Sequence, residues 1–527
     1  MSERLAAAQE RADALRKELE DARRALARLP DPPEPLTAGD LMARSSGSAG
    51  DPAAPRVPAP PAGSPPGAIA AARRDLAAGR ISAVELVEEA LERARAVSDL
   101  GAFLDLREEE ALAEARRVTA AGTGAGQAAG RGRDGGGPLL GIPLSVKDIV
   151  DVAGMTTTSG SKFPHEATRS APCWRALSEA GAILLGKNNL QEFAFGVSGD
   201  NPTFGRTRNP HDPARIPGGS SSGSAVAVAT GAGFGSVGTD TGGSIRIPAS
   251  LNGVFGLKPS YGAVPRAGVT PLSWSLDHVG PIARSAGDIE VLFGVLSGRL
   301  PNPVTTRTAD SKPLANLRVG IPLDFFYTDL TREARQAASG IVDALLRLGA
   351  ERVEVKVPEV ELSGVCRNVL AFAEAAVVHR ERLATRPQDI SEDVRRLLEV
   401  GQVLSATDLL TALKGRRLVT DAFTRLFEAV DVLVVPSTPA GAPEAGEPLA
   451  TGEDIRPGLI RLVGPFNFTG LPALSAPAGF DALGMPLGAQ LVGGPGQDFA
   501  IIRLAAWLEA SGAVRMRQPP RAHPADC

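Results

Sequence analysis

Two clusters of serine and glycine bracket an Ala/Val-rich segment between Pro217 and Pro248: Gly218-Gly219-Ser220-Ser221-Ser222-Gly223-Ser224 at one end and Thr241-Gly242-Gly243-Ser244 at the other. Glycines allow backbone angles closed to other residues and leave N–H groups bare. A serine in such a loop can attack a carbonyl while the neighbouring N–H groups hold the developing oxyanion. Upstream, Gly141-Ile142-Pro143-Leu144-Ser145-Val146-Lys147-Asp148 ends a short apolar, strand-like run on a lysine. Cleaving an amide requires a nucleophile, a base, an acid for the leaving amine and an oxyanion site. Lysine can be the base only if burial lowers its pKa, since at 10.4 about one part in 2,500 is neutral at pH 7. Each piece alone has a plainer reading: a Gly/Ser run is commonly a flexible loop, and a buried lysine is commonly an ion pair, here with Asp148.

Taken in order, these pieces resemble the amidase signature family, whose members use a Ser–Ser–Lys triad. The resemblance spans roughly residues 70–515, densest over 138–285 and again over Phe466–Gly493. It implies Ser244 as nucleophile in the pattern D-x-G-G-S, Ser220 as the bridging serine of G-G-S-S, and Lys147 as the lysine of V-K-D. The 24-residue step from Ser220 to Ser244 agrees with the family's spacing. The family also implies a cis peptide at Gly219–Ser220, an oxyanion site from the N–H groups of Thr241, Gly242, Gly243 and Ser244, and supporting roles for Asp240, Arg246 and Ser222. Phe466-Asn467, Gly470-Leu471-Pro472 and Gln490 match a late motif that implies scaffolding. The implied fold is α/β: a mixed central sheet of about eleven strands with helices on both faces, plus an N-terminal helix and a linker.

Several other patterns compete for attention. Gly233-Phe234-Gly235-Ser236-Val237-Gly238 matches G-x-G-x-x-G, but that fingerprint should follow a strand and open a helix, whereas here an Ala/Val helix precedes it. Gly181–Asn188 nearly matches a phosphate loop, yet its middle is apolar and Asn188 replaces the magnesium-binding hydroxyl. His165, His211, His278, His379 and His523 show no metal-ligand spacing, so neither a cofactor nor a metal is expected. A Ser-His-Asp arrangement through Asp277 and His278 would need adjacent side chains to face one centre. Cys173 has no evident base and is a poor candidate for a thiol nucleophile.

The elements that must position this chemistry follow from pattern. Leu5, Ala8, Ala12, Leu15, Leu19, Ala22, Leu26 and Leu29 form a heptad seam over residues 1–29, which allows either a coiled coil pairing two copies or a helix docked locally. Residues 30–66, rich in Pro, Ala, Gly and Ser, read as a linker. The catalytic domain is expected over 67–515, followed by a tail at 516–527. It opens with a Ser82/Glu85 capping box and a second charged helix near 107–120, then a Gly-rich loop at 122–137. From 138 to 295 strand-like runs (ILLG, SVG, VFGLK) alternate with helical ones, which argues α/β layering. Residues 300–430 read as mostly helical, and the sheet resumes at Val432–Pro436 and Leu487–Val492.

Bulk composition narrows the function. With 43% hydrophobic residues the chain can bury a core. Its 56 basic and 60 acidic residues leave a net charge of −4, so nucleic acid is not an expected partner. No apolar run reaches the ~20 residues of a membrane span, and the charged N-terminus lacks a signal-peptide core, so a cytoplasmic protein is expected. Three scattered cysteines form neither a disulfide framework nor a zinc site. The expected partner is a small amide substrate, cleaved by a stand-alone amidohydrolase through a serine acyl-enzyme. The alternative is the glutaminase component of a tRNA-dependent amidotransferase. Against it, the chain has only Tyr261 and Tyr327, with none over 405–425, where such glutaminases tend to carry tyrosines near the glutamine site.

Overall fold

The computed structural model describes residues 2–27, 57, 58, 60, 67–121, 137–299 and 312–520. The expected linker (save residues 57, 58 and 60), the Gly-rich loop (save Gly137) and the tail beyond 520 lie outside the described residues.

Eleven strands form one sheet: β1 (Phe103–Leu106), β2 (Pro143–Lys147), β3 (Ile183–Asn188), β4 (Gly235–Asp240), β5 (Phe255–Lys258), β6 (His278–Ala283), β7 (Arg318–Pro322), β8 (Glu351–Val355), β9 (Val432–Pro436), β10 (Ala473–Phe480) and β11 (Pro486–Gly493). Their order across the sheet is β1-β3-β2-β4-β6-β5-β10-β11-β9-β7-β8. The sheet is mixed. β3, β2 and β4 run parallel, as do β9, β7 and β8, while the strands between them are antiparallel. β2, β4, β5, β6, β9 and β11 are buried at every position, as strands covered on both faces are. Six helices matter below: α1 (Ser2–Ala27), α2 (Ser222–Ala229), α3 (Arg246–Asn252), α4 (Leu362–Val378), α5 (Glu392–Val403) and α6 (Ala406–Ala429). No described helix is long and apolar enough to cross a membrane.

This topology positions the site. Because β2 and β4 pair in parallel, from Leu144↔Gly235 to Val146↔Val237, their C-terminal ends emerge side by side. Lys147 closes β2 and Asp240 closes β4, where an open α/β sheet presents its ligand sites. α2, built only of Ser, Gly, Ala and Val, begins within the first Ser/Gly cluster and is buried along its whole length.

Five strands, β1, β6, β7, β8 and β10, were not located by the sequence pattern. β7 (RVGIP) and β8 (ERVEV) lie inside the segment that reads as helical. The first carries Gly and Pro, and the second is a half-charged edge strand of the kind that blunts a sheet margin. The Ser82/Glu85 capping box forms as expected, with both reciprocal hydrogen bonds present.

The heptad seam lies against its own chain. Ala8, Ala12, Leu19, Ala22 and Leu26 are buried, and α1 packs on α4, α5 and α6. The alanines that weaken a coiled-coil seam here allow close approach to the neighbouring helices. Asp408 fixes the contact: it accepts from Arg16 and Arg23 at 3.0 Å each, and its carboxylate also completes the capping box with Ser405 that opens α6. Asp408→Ala is expected to cost about 1–2 kcal/mol in urea denaturation, through the lost box and two partly exposed ion pairs. An unchanged midpoint would show that α1 is held by its apolar seam alone.

Candidate active site

Lys147 sits at the centre, fully buried at the end of β2. Its Nζ donates to Ser220 Oγ at 2.8 Å and to Thr239 Oγ1 at 2.7 Å. Among the described residues it has no carboxylate partner. The ion pair with Asp148 suggested by the sequence does not form. Asp148 instead lies 3.0 Å from Lys187, the lysine of the apparent phosphate loop, which sits buried on β3. Burial pushes the Lys147 ammonium down to about 7, against Asp240 and Asp277, whose charges act the other way. The lysine is therefore half neutral near pH 7.

The Gly219–Ser220 peptide is cis. Ser244, 5% exposed, occupies the turn between β4 and α3. Ser221 ties the two serine loops together: its N–H donates to the Ser244 carbonyl at 3.2 Å, and its hydroxyl donates to the Thr239 carbonyl at 3.2 Å. Among the described residues Ser244 Oγ makes no hydrogen bond, so a proton relay through Ser220 requires the two hydroxyls to swing together once substrate is bound.

The four expected oxyanion donors divide. Gly243 N–H donates to Asp240 Oδ1 at 2.7 Å and is thereby turned from an incoming carbonyl, a correction to the expected set. The N–H groups of Thr241, Gly242 and Ser244 make no hydrogen bond among the described residues and remain available. Gly243 is needed for its backbone. Its φ of +118° is closed to L side chains, and a Cβ there would lie 2.3 Å from Val463 Cγ2.

Asp240 organises this turn from below, also accepting from the N–H of Ile245 at 3.1 Å. Arg246, fully buried, grips it bidentately at 3.0 Å through Nε and Nη2 and reaches Asn467, Gln490 and the Val463 carbonyl. Burial alone would raise Asp240, but the Arg246 charge and hydrogen bonds, with Asn467 and Lys258, hold it below the ordinary carboxylate range. Asn467 and Gln490 thus scaffold the nucleophile turn, as their motif implies. Ser222 does not join the group. Its hydroxyl donates to Thr207 at 3.1 Å, so its expected assisting role is not supported by contact.

Sequence reasoning missed three contributors. Thr239, the second partner of Lys147, could have been found only from the parallel pairing of β2 with β4. Asp277 braces the loop by accepting from Thr241 Oγ1 at 2.6 Å and is pushed up to about 6 by burial. His278 turns elsewhere, with Nδ1 2.7 Å from the Leu276 carbonyl, so the adjacent pair does not converge on one centre. Cys173 is buried, and burial pushes its thiol up to about 12, which leaves it inert at neutral pH. The third is Arg367 on α4: a Cβ on Gly242 would lie 3.0 Å from its Nη1.

Two cavities lie near the site: Thr241 of the nucleophile loop lines the first, and Arg367, which packs against Gly242, lines the second. One, of about 420 Å³, is lined by Thr239, Thr241, Asp277 and Trp274. The other, of about 610 Å³, is lined by Arg367, Arg456, Phe372, Ile460 and Gly464.

The Amidase family model matches residues 85–502 of this chain. The A component of the glutamyl-tRNA(Gln) amidotransferase of Deinococcus radiodurans is 36% identical over 488 residues, covering 85% of this chain and 97% of that protein. AtzE, a component of the 1-carboxybiuret hydrolase of a Pseudomonas species, is 36% identical over 462 residues, covering 84% of this chain and 98% of that protein. Among solved structures, an amidase superposes with a TM-score of 0.77 at 41% identity, covering 84% of this chain and 99% of that one.

Proposed function

This chain belongs to the amidase family and is a hydrolase of carbon–nitrogen bonds in amides, and on that premise we propose that it acts as a stand-alone amidase through an acyl-enzyme on Ser244. The observation that carries this reading is the 2.8 Å contact from a buried, carboxylate-free Lys147 to Ser220. Neutral Lys147 takes the Ser220 proton as Ser220 takes that of Ser244. Ser244 Oγ bonds to the amide carbon, whose oxygen gathers charge against the free N–H groups of Thr241, Gly242 and Ser244. The carbon–nitrogen bond then breaks, and the proton held on Lys147 returns through Ser220 to the departing amine. Water, deprotonated by the same relay, attacks the ester carbon, and Ser244 leaves with its proton restored.

The electrostatics of Lys147 set the pH profile. Its base function requires the neutral form, so kcat/KM is expected to rise about tenfold per unit below about 7 and to level off above it. A profile already flat between pH 5 and 8 would remove Lys147 as the base.

Ammonia release from aliphatic amides, aryl amides and glutamine, with the full chain alone, tests the function. Turnover of a simple amide supports the stand-alone enzyme. The 36% identity to an amidotransferase component favours a second reading, a glutaminase that passes ammonia to a partner. Activity confined to glutamine would move the conclusion there.

A further inference from the structure

Arg246 and Arg461, both buried or nearly so, face carboxylates at 3.0 and 3.2 Å. Arg367 does not. It is 5% exposed, and among the described residues its guanidinium meets only Asn368 Oδ1, at 2.6 Å, and no carboxylate. Arg456 lies near it, bonded to the Phe195 carbonyl at 3.0 Å and stacked 5.1 Å from that ring, also without a carboxylate partner among the described residues. Burial, then the charge of Arg456, pushes Arg367 down to about 9, which still leaves it cationic at neutral pH. Both arginines line one cavity; the Asp393 charge acts on Arg456 but no carboxylate acts on Arg367 among the described residues, and an anion bound beside it offsets the cost of burying that cation. The guanidinium fork matches the two oxygens of a carboxylate.

The place is as informative as the charge. Arg367 packs against Gly464 and against Gly242, two residues before Ser244 on the nucleophile turn. The same cavity is also lined by Glu18 and Asp21 of α1, by Glu361, and by Glu453, which pairs with Arg461.

We infer that this cavity is a subsite for a carboxylate on the acyl part of the substrate, read by Arg367 and Arg456, so that the enzyme cleaves monoamides of short dicarboxylic acids. The inference rests on the amidase reading of Ser244 and names its substrate class. α1 completes the cavity wall and limits the substrate's length.

The test compares kcat/KM of the full chain for succinamate and glutaramate with butyramide and valeramide, which carry methyl in place of carboxylate. Glutarate binding is followed in parallel by calorimetry. The acid amides are expected to be preferred by about 100-fold or more, with the difference mainly in KM. Arg367→Gln is expected to collapse that ratio toward one and to abolish glutarate binding. Should that variant fail to fold by circular dichroism, Arg456→Gln and the wild-type ratio decide. A wild-type ratio near one, or glutarate affinity unchanged in either variant, would overturn the subsite. Turnover of neutral amides without acid preference removes the subsite and leaves the amidase reading. Arg367-dependent glutarate binding with no amide turned over does the reverse.

Discussion

Replacing Ser244 by alanine is expected to lower kcat for a carboxamide by about 10⁴–10⁶-fold. Without Oγ no ester can form, and what remains is the catalysis that the N–H groups of Thr241, Gly242 and Ser244 give to direct attack by water. The fold should be untouched, because among the described residues that hydroxyl makes no hydrogen bond. An unchanged melting temperature is therefore part of the expected result. Ser220→Ala should lose a comparable amount, since it severs Lys147 from the nucleophile. The double variant should be little worse than either single one, because groups that act as a unit are not additive. Ammonia release under single-turnover conditions, with mass spectrometry for an acyl adduct on Ser244, makes the measurement. Substantial turnover by Ser244→Ala would place the nucleophile elsewhere.

Arg246→Met carries the largest expected effect on stability, about 3–5 kcal/mol at neutral pH. The guanidinium is fully buried and satisfies Asp240, Asn467, Gln490 and the Val463 carbonyl together. Its removal leaves a buried carboxylate with Lys258 and Lys147, neither of them in an ion pair with it, as the nearby cationic groups. The pH dependence gives the cause away. In the wild type Asp240 lies below its unfolded value, so its contribution is fully present above about pH 4 and is lost as pH falls through the folded pKa. In the variant, burial without Arg246 lifts the folded value above the unfolded one, so stability is lost as pH climbs from about 4. The gap between the two proteins should be wide at about pH 7.5 and narrower at about pH 4.5, measured by urea unfolding. A gap independent of pH would mean that packing, and not the uncompensated charge, sets the cost.

Much of the site was legible because its chemistry is concentrated in short segments. Glycine is demanded by the backbone at Gly243, and a strand must end where Lys147 is presented. The long, mostly apolar strands showed themselves for the same reason: VLVVP and LGAQLV are buried at every position, and only Gln490, held by Arg246, is polar. β8 escaped because an edge strand is selected for charge, which erases the pattern that marks a strand, and β7 because Gly and Pro interrupt its apolar run. The heptad of α1 was visible, but periodicity fixes only that one face is apolar and not which surface covers it. Here α4, α5 and α6 of the same chain do so.

Residue type and local spacing were enough to indicate the family, and that resemblance implies the nucleophile, the bridging serine and the base, with Asp240 and Arg246 as supports of the nucleophile loop. Each of these depends on a few neighbouring positions of chain. Which carboxylate pairs with which cation was settled only by the packed structure. It gave Asp148 to Lys187 and left Lys147 without a carboxylate partner, turned Gly243 N–H toward Asp240, and brought Arg367 from α4 against Gly242. Those outcomes depend on how separate segments approach one another in space. Charge and pKa follow burial and proximity, to which spacing along the chain is blind.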